Sequence, residues 1–353
     1  MENKTFDYLV SLYLKGDLNI EKNIIKGILT PPLKDDIKKL PLLGSKEYEN
    51  ILKIGQHAIN NKEVGAIILA GGMATRFASN RPKGVFPIFQ GKTFLQLKAE
   101  DCGKWDVPMY IMTSFYSCEL IKTLFEKSNL FCIPTADVSF FLQYKLPRIY
   151  KDGSIITDEN GNIDYATSGH GDFVFALNDK ISGQGMTLLD KFIEKGGKYL
   201  FFSNVDNLGA SVNPAIIGHH ILSQKNMTVE VALKRRGDKG GAPVCVNDRI
   251  QLLEGFSFPK NFNQDSILVF NTATYIFTAN SLKQNFDLPW YVVEKKVKGK
   301  NVIQFERLAG DLTKFIDANY VEVERDDRFL PVKTLDDVPY VRQILQEKMI
   351  YNK

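Results

Sequence analysis

One stretch near the start of the chain constrains the fold more than any other: VGAIILAGGMATRFASNRPKGVFP, at residues 64–87. It opens with seven small or branched apolar residues, a run that predicts a strand buried on both faces of a parallel sheet. Gly71 and Gly72 follow directly, and two glycines let the backbone turn sharply and approach a ligand closely. The stretch therefore predicts an α/β fold with a binding loop at the end of a buried strand.

The same loop carries two basic side chains, Arg76 and Lys83. Exposed backbone amides and fixed cations together form the kind of site that binds polyphosphates. The alternative is an ordinary strand-to-helix turn with a solvated basic loop, and the glycines alone favour it. The full combination, with Pro82 and Gly84 around the lysine, favours a phosphate site instead. Neither G-x-x-x-x-G-K-[ST] nor G-x-G-x-x-G follows the strand, so the loop is of neither common nucleotide-binding type.

Composition excludes several classes of protein. The chain has 353 residues, 44% of them hydrophobic and 24% charged, with a net charge of +4, which is typical of a globular protein. Lysine and arginine are scattered, so charge does not indicate nucleic-acid binding. No apolar run approaches the ~18 residues of a membrane span, and the N-terminus lacks a signal-peptide pattern. The four cysteines show no zinc or disulfide spacing. We therefore expect a cytoplasmic protein that binds neither nucleic acid nor membrane.

Periodicity divides the chain in two. Residues 1–61 show apolar positions at helical spacing and predict an N-terminal helical segment that covers the main body. Residues 62–353 alternate strand-like and helix-like patterns, which predicts one α/β domain with a largely parallel sheet.

A histidine between two glycines follows later, in TSGHGD at residues 167–172. An isolated histidine is most often a structural hydrogen-bonding residue. The flanking Gly169 and Gly171 favour contact between His170 and a ligand, because the backbone can come close there.

Asp206 follows the apolar strand-like run at 198–204. Ligands of open α/β sheets bind at the carboxyl ends of strands, and Mg²⁺ prefers one or two carboxylates together with phosphates and water. A helix N-cap is the alternative role for this aspartate. With a phosphate loop on the same edge of the sheet, we favour a magnesium site.

Three further positions carry polar side chains in apolar surroundings. Asn271 and Thr272 lie inside the apolar run at 268–278; buried polar groups require hydrogen-bond partners or a ligand. Lys333 follows an apolar segment and could return a second cation to the phosphate site, although a lysine taken alone is more often a surface residue.

Five elements in this order resemble one known family. They are AGGMATR…RPKG, TSGHGD, SNVDNLGA, FNTAT and QFERLAGD…RFLPVKT, and they span roughly residues 64 to 335. Together they resemble the UTP–glucose-1-phosphate uridylyltransferases, or UDP-glucose pyrophosphorylases, which are related to UDP-sugar and UDP-N-acetylglucosamine pyrophosphorylases. The first element matches the family signature L-x-G-G-x-G-T-R…P-K except at Ala74, where the family has a third glycine.

The resemblance implies a GT-A-like, Rossmann-type nucleotidyltransferase core with a mixed, mostly parallel sheet flanked by helices. It implies a reversible, Mg²⁺-dependent reaction in which UTP and glucose 1-phosphate give UDP-glucose and pyrophosphate. A UDP-N-acetylglucosamine or broad-specificity UDP-sugar pyrophosphorylase remains an alternative. So does a non-catalytic UDP-sugar-binding relative, although such a protein would not need every phosphate-handling charge.

The resemblance also implies roles for particular residues. The catalytic residues are Arg76, Lys83, Lys333 and His170. The nucleotide-binding residues are Leu69, Ala70, Gly71, Gly72, Met112, Gln143 and Gly169. The sugar-binding residues are Gly241, Glu254, Asn271 and Thr272, and the Mg²⁺ ligand is Asp206.

The sequence departs from the family in two places. The family motif N-T-N-N is Asn271-Thr272-Ala273-Thr274 here, so an amide that contacts the sugar is missing. Family members usually continue into a C-terminal left-handed β-helix, for which this chain has no room after Thr334. The corresponding expectation is a monomer without that domain.

Overall fold

The computed structural model describes residues 2–77, 81–134, 137–181, 183, 185–235, 237–238, 240–297 and 299–351. The helices of these residues are α1 Glu2–Lys15, α2 Lys46–Asn60, α3 Phe94–Trp105, α4 Cys118–Lys127, α5 Phe173–Leu177, α6 Leu188–Glu194, α7 Pro214–Ser223, α8 Arg325–Arg328 and α9 Val338–Tyr351. The strands up to the middle of the chain are β1 Leu29–Thr30, β2 Ile37–Lys39, β3 Val64–Leu69, β4 Pro87–Phe89, β5 Lys92–Thr93, β6 Met109–Thr113, β7 Val138–Leu142, β8 Lys145–Pro147 and β9 Tyr165–Thr167. The remaining strands are β10 Tyr199–Asn204, β11 Met227–Leu233, β12 Ala242–Val246, β13 Arg249–Leu253, β14 Val269–Thr278, β15 Tyr291–Val297, β16 Lys300–Glu306 and β17 Ala318–Glu322.

An eight-stranded sheet organises the molecule, in the order β2-β17-β11-β14-β10-β3-β6-β7. β14 is antiparallel to both of its neighbours, and every other neighbouring pair is parallel. This topology confirms the predicted mixed, mostly parallel sheet. Because parallel strands end on the same side, β3, β6, β10, β11 and β17 all deliver their carboxyl ends to one edge, where β14 begins.

Both faces of the sheet are covered, and β3 shows why its sequence is apolar throughout. All six of its residues are buried. Ala66 and Ile68 enter one hydrophobic core, while Ile67 and Leu69 enter the other, as the two-residue period of a strand requires. Helices α2, α3, α4, α7 and α9 contribute to the first core. Helices α5 and α6, with the β12–β13 hairpin, contribute to the second.

The N-terminal segment is more than the helical cover that periodicity predicts. Its helix α2 packs on α7, and Gly55 and Gly218 allow a close approach, since a Cβ on Gly55 would lie 1.8 Å from the carbonyl oxygen of Pro214. Two short strands also join the main body: β1 pairs with β12, and β2 extends the large sheet beside β17. Pairing between such distant short segments leaves no periodic signal in the sequence. The first 60 residues therefore share sheets with the rest of the chain.

Among the described residues, none of the helices combines the length and the apolar character that crossing a membrane requires.

Candidate active site

Two cavities open at the edge of the sheet where the parallel strands end. The first has a volume of about 260 Å³ and is lined by Leu69, Gly71, Gly72, Met73, Lys83, Met112, Gln143, His170, Asn204, Val205 and Asp206. The second has a volume of about 200 Å³ and is lined by Asn204, Asp206, Asn207, Asp238, Gly240, Gly241, Glu254, Phe270, Asn271, Thr272, Ala273, Phe329, Pro331 and Lys333. Asn204 and Asp206 belong to both linings. The two cavities therefore meet at the end of β10. We call the first, which contains Leu69, the β3-side cavity, and the second, which contains Asn271, the β14-side cavity.

At this junction Lys83 meets Asp206. The loop after β3 folds back on itself, with the Lys83 amide donating to the Gly72 carbonyl over 3.0 Å. This bond sets the lysine beside the glycine turn, and its ammonium lies 2.7 Å from the Asp206 carboxylate. The two side chains are 14% and 25% exposed, so each charge remains within reach of a bound ligand. A cation and an anion that were predicted from motifs 123 residues apart thus lie in direct contact.

Gly71 is a position of close approach in the β3-side cavity. A Cβ there would lie 2.9 Å from the side-chain oxygen of Gln143 and 3.3 Å from Cβ of Ser114. The Ser114 hydroxyl donates to the Gly71 carbonyl over 2.8 Å, and the Gln143 amide donates to the Gly169 carbonyl over 2.6 Å. The glycine turn is therefore held against Gln143 and the loop that precedes His170, with no room for a side chain.

His170 has one defined tautomer. The amide of Ala309 donates to its Nδ1 over 3.0 Å, so Nδ1 is an acceptor and the neutral ring carries its proton on Nε2. Burial lowers the pKa of His170, and Glu306 opposes that effect. The ring lines the β3-side cavity as a neutral group with one donor available.

The loop around His170 is fixed from behind by Arg307. Gly169 has φ +90°, and a Cβ there would lie 2.2 Å from the carbonyl oxygen of Arg307, so only glycine fits. The Arg307 guanidinium donates to the fully buried Asp172 and lies 4.0 Å from the ring centre of Phe175. Gly169 therefore acts through its backbone: its carbonyl holds Gln143, and its conformation places the histidine.

Gly241 and Glu254 flank the open end of the β12–β13 hairpin, where Ala242 pairs with Leu253. The Gly241 carbonyl accepts a hydrogen bond from the backbone N–H of Asn271 over 2.8 Å, which fastens the hairpin to β14. Burial raises the pKa of the Glu254 carboxyl; Asp311 raises it further, and Lys333 lowers it. The β14-side cavity thus holds a carboxyl group with reduced acidity beside a lysine.

Asn271 and Thr272 have protein partners, as buried polar groups require. The side-chain nitrogen of Asn271 donates to the Tyr275 hydroxyl over 2.9 Å, and its side-chain oxygen accepts from the backbone N–H of Ala273 over 2.9 Å. The Thr272 hydroxyl donates to the Glu230 carbonyl over 2.8 Å. Both residues nevertheless line the β14-side cavity.

Ala273 lies in a bulge of β14, where the register with β11 shifts between Val229 and Val231. Its φ is +56°, in the left-handed region that costs an ordinary residue about 1–2 kcal/mol and that asparagine tolerates better. The missing asparagine of the motif therefore leaves a strained alanine facing the cavity.

Lys333 lies on an extended segment that runs alongside residues 206–208. The Val332 amide donates to the Asp206 carbonyl over 3.0 Å, and the Leu208 amide donates to the Leu330 carbonyl over 3.1 Å. The amide of Lys333 itself donates to Asp337 over 2.7 Å. The lysine side chain is exposed but lines the β14-side cavity, so the structure brings both predicted lysines to one composite site.

Three of the predicted residues lie outside both cavity linings. Ala70 is fully buried and reaches the site only as part of the turn before Gly71. Arg76 is exposed on the 3₁₀ turn Thr75–Phe77 and lies outside both linings. Gly169 is likewise outside them and acts through Gln143.

Sequence reasoning missed several lining residues, above all Asn204 and Asp238. Asn204 ends β10 two residues before Asp206, and its place at the carboxyl end of a strand was a usable signal. Asp238 lies in the basic loop after β11, where Arg325 holds it with two hydrogen bonds. The contact of Asp238 with Arg325, 87 residues away in the chain, leaves no local signal in the sequence.

The donor set fits a magnesium ion held jointly with phosphates. Within the described residues, no group of three or more His, Cys, Asp or Glu side chains is arranged to hold a metal. Of the residues that line both cavities, Asp206 supplies a carboxylate, and Mg²⁺ is bound by one or two carboxylates when phosphates and water complete its octahedron.

Comparison with known proteins gives matches to one family in sequence and to solved structures in fold. The sequence profile of the UTP–glucose-1-phosphate uridylyltransferase family matches residues 5–349. The chain is 28% identical to the Saccharomyces cerevisiae UTP–glucose-1-phosphate uridylyltransferase over 323 residues, covering 85% of this chain but only 63% of the yeast protein. It is 30% identical to the Hordeum vulgare enzyme of the same name, covering 98% of this chain and 74% of the barley protein.

Among solved structures, the uridine diphosphate N-acetylglucosamine pyrophosphorylase from Trypanosoma brucei superimposes with a TM-score of 0.82 at 23% identity. The match covers 95% of this chain and 75% of the trypanosomal one. At this identity the similarity shows a shared fold.

Proposed function

We propose that this chain, which belongs to the UTP–glucose-1-phosphate uridylyltransferase family, transfers a uridylyl group from UTP to glucose 1-phosphate, giving UDP-glucose and pyrophosphate. The observation that carries the proposal is the meeting of the two cavities at Asp206, with one lysine belonging to each side. A nucleotide in the β3-side cavity and a sugar phosphate in the β14-side cavity would bring their phosphates together at that point.

The chemistry requires two anions to approach. An oxygen of the sugar phosphate attacks the α-phosphorus of UTP, and the bond from that phosphorus to the β-phosphate oxygen breaks as pyrophosphate leaves on the opposite side. Positioned cations supply most of the stabilisation in such transfers. We assign Lys83 to the UTP phosphates, which it reaches by leaving Asp206, and Lys333 to the sugar phosphate. We assign the Nε2 proton of His170 as a donor to a phosphate oxygen.

The base and the hexose have different surroundings. We assign the uracil to the glycine turn Gly71–Gly72, with Met112 and Gln143 beside it, because an apolar wall and a fixed amide suit a flat polar ring. We assign the hexose to Gly241, Glu254 and Asn271. A carboxyl group and an amide offer the acceptors and donors that sugar hydroxyls require.

We further propose Asp206 as the residue that holds Mg²⁺ with the substrate phosphates. When bound, the ion neutralises charge on phosphate oxygens as it develops during transfer. Turnover in excess EDTA would contradict this assignment. We also assign Arg76 to the UTP phosphates and the leaving pyrophosphate, since an exposed loop arginine can reach a bound triphosphate from outside the cavity.

The test is pyrophosphate release from each of UTP, ATP and TTP, offered with a panel of sugar 1-phosphates. We expect turnover with UTP and glucose 1-phosphate that depends on Mg²⁺. Equal rates with ATP or TTP would contradict the uridine assignment. A higher kcat/KM for N-acetylglucosamine 1-phosphate would favour the alternative substrate, and binding of UDP-glucose without any turnover would favour a non-catalytic relative.

We also propose that the enzyme is cytoplasmic, supported by the absence of disulfide spacing among its cysteines, and that it acts as a monomer. Imaging of the tagged protein tests the first proposal. Light scattering tests the second, with a mass near the 40.0 kDa of one chain expected.

A further inference from the structure

One buried side chain directly behind the junction ties three parts of the site together. Asn207 is 2% exposed and uses both ends of its amide. Its oxygen accepts from the amides of Leu330 and Gly209 over 2.8 and 3.2 Å. Its nitrogen donates to the Arg328 carbonyl over 3.2 Å and to the Thr274 hydroxyl over 3.4 Å. A buried amide with all of these groups satisfied is stable in only one orientation.

The tied segments are those that carry the proposed functional residues. Asn207 follows Asp206 directly, Leu330 lies three residues before Lys333, and Thr274 lies on β14 close to Asn271. The strand-like pairing of the two loops also centres here, because Asn207 and Pro331 form an isolated bridge. The position of Lys333 relative to Asp206 thus depends on bonds that converge on Asn207.

Asn207 is itself anchored from the opposite side. The buried ammonium of Lys98, on α3, donates to the Asn207 carbonyl over 2.7 Å and also to the Ala210 carbonyl. Helix α3 therefore fixes the backbone of this loop. The Asn207 side chain in turn holds the Lys333 segment against the loop by its bond from Leu330.

We propose that Asn207 is a positioning residue that sets the separation of Lys333 from Asp206, and so tunes the site for the sugar phosphate rather than for UTP. The inference rests on the proposed function. A misplacement of a reacting group by about 1 Å can lower the rate roughly a hundredfold. The Asn207 side chain bonds the segments of Thr274 and Leu330, and neither segment lines the β3-side cavity.

The test compares Asn207→Ala with a matched variant, Asn23→Ala. Asn23 is also buried and also bonds backbone at both ends of its amide, donating to the Val292 carbonyl and accepting from the Val292 amide, but it ties the N-terminal segment to β15. We expect both variants to lower Tm. We expect only Asn207→Ala to lower kcat/KM for glucose 1-phosphate, by about 10- to 100-fold, with the KM for UTP unchanged.

An equal loss in both variants, or equal changes in KM for the two substrates in Asn207→Ala, would overturn the proposal. A third variant, Asn207→Asp, keeps the acceptor for Leu330 and loses the donor. We expect its KM for glucose 1-phosphate to lie nearer to the wild-type value than that of Asn207→Ala, and equal values would overturn the role of the Leu330 bond.

A measurement without substrates separates this inference from the proposed function. We expect the amides of Leu330 and Val332 to exchange hydrogen faster in Asn207→Ala than in wild type or in Asn23→Ala. Unchanged exchange would overturn the proposal even in an active enzyme. If the wild type lacks uridylyltransferase activity but Asn207→Ala still shows faster exchange, the positioning role of Asn207 is supported and the proposed function is refuted.

Discussion

The two cavities that meet at Asp206 are built differently. The β3-side cavity lies where β3, β6 and β10 end side by side in the sheet, and the glycine turn, Lys83, Gln143 and His170 complete its lining. Hydrogen bonds to other loops fix Gln143 and His170. The β14-side cavity is assembled from five separate segments between residues 204 and 333. Adjacent strands thus form the base of the first cavity, whereas the second depends more on individual hydrogen bonds and ion pairs.

Several of these polar contacts lie behind the β14-side cavity. Besides Asn207 and Lys98, the buried Arg328 donates two hydrogen bonds to the buried Glu230, and Arg325 holds Asp238 at the cavity wall. Removal of one partner from such a buried pair costs about 3–5 kcal/mol, because the other charge remains buried. Single substitutions in these contacts should therefore affect recognition of the sugar more readily than recognition of the nucleotide.

The largest effect is expected at the junction, where both cavities are affected together. Asp206→Asn and Lys83→Ala should each lower kcat at least about a hundredfold, the scale of removing one transition-state stabiliser. Steady-state pyrophosphate release measures this. Lys92→Ala is a matched control, since Lys92 pairs with Glu100 over 2.8 Å on the exposed surface and should leave kcat unchanged. A near-normal rate in Asp206→Asn would remove that residue from the mechanism.

Next in size is a pair of substitutions that separates the two cavities. Lys333→Ala should raise the KM for glucose 1-phosphate roughly tenfold or more and leave the KM for UTP unchanged, because a charged hydrogen bond contributes about 1.5–3 kcal/mol. Initial rates with one substrate varied at a time provide both values.

The counterpart on the other side is Gly71→Ala, whose Cβ would displace the Gln143 amide. It should raise the KM for UTP and spare glucose 1-phosphate. If either variant changes both constants equally, the division of the site into two halves is wrong.

A smaller effect concerns stability and pH, and it arises from Lys98 beneath the β14-side cavity. Burial lowers the pKa of Lys98 from 10.5 to about 8, opposed chiefly by Asp101. Between pH 8 and pH 10.5 the Lys98 side chain is more often protonated in the unfolded chain than in the folded one. Lys98 therefore makes the free energy of unfolding rise with pH, by at most about 1.4 kcal/mol per pH unit. Below pH 8 its contribution is constant.

Urea unfolding at pH 7.5, 8.5 and 9.5 checks this slope against Lys98→Met, which keeps the apolar length without the charge. The free energy of unfolding of the wild type, relative to that of Lys98→Met, should rise with pH. A constant difference would contradict the buried, titrating lysine.

The smallest effect is expected at Ala273. Its positive φ favours asparagine over alanine, so Ala273→Asn should be neutral or stabilising by a few tenths to about 1 kcal/mol. The added amide faces the cavity and should sharpen the preference for glucose 1-phosphate over galactose 1-phosphate and N-acetylglucosamine 1-phosphate. Unchanged selectivity, or a wild type that already rejects both sugars by more than a thousandfold, would refute a role for Ala273 in specificity.

The same contrast explains how much of the molecule the sequence could predict. β3, its glycine turn and Lys83 are local in the chain, so composition and spacing indicated a phosphate loop. The fold class followed from the alternation of strands and helices. The end of a strand-like run indicated Asp206, apolar surroundings indicated Asn271 and Lys333, and the family resemblance added Glu254. Their roles stay predictions.

What the sequence did not reveal is long-range. Nothing near Asn207 indicates that its amide bonds Leu330, 123 residues away. The bulge that gives Ala273 its positive φ depends on register with β11, and β1 and β2 are too short for periodicity to detect. The role of Arg76 stays a prediction, because its motif indicated a site residue and the structure places it on an exposed turn outside both cavity linings.

A crystal structure with UDP-glucose would show whether the two cavities form one site centred on Asp206. We expect the uracil beside Gly71 and Gln143, the diphosphate between Lys83, Asp206 and Lys333, and the hexose against Glu254 and Asn271. A nucleotide bound away from the glycine turn, or a hexose outside the β14-side cavity, would mean that the two cavities are not one site.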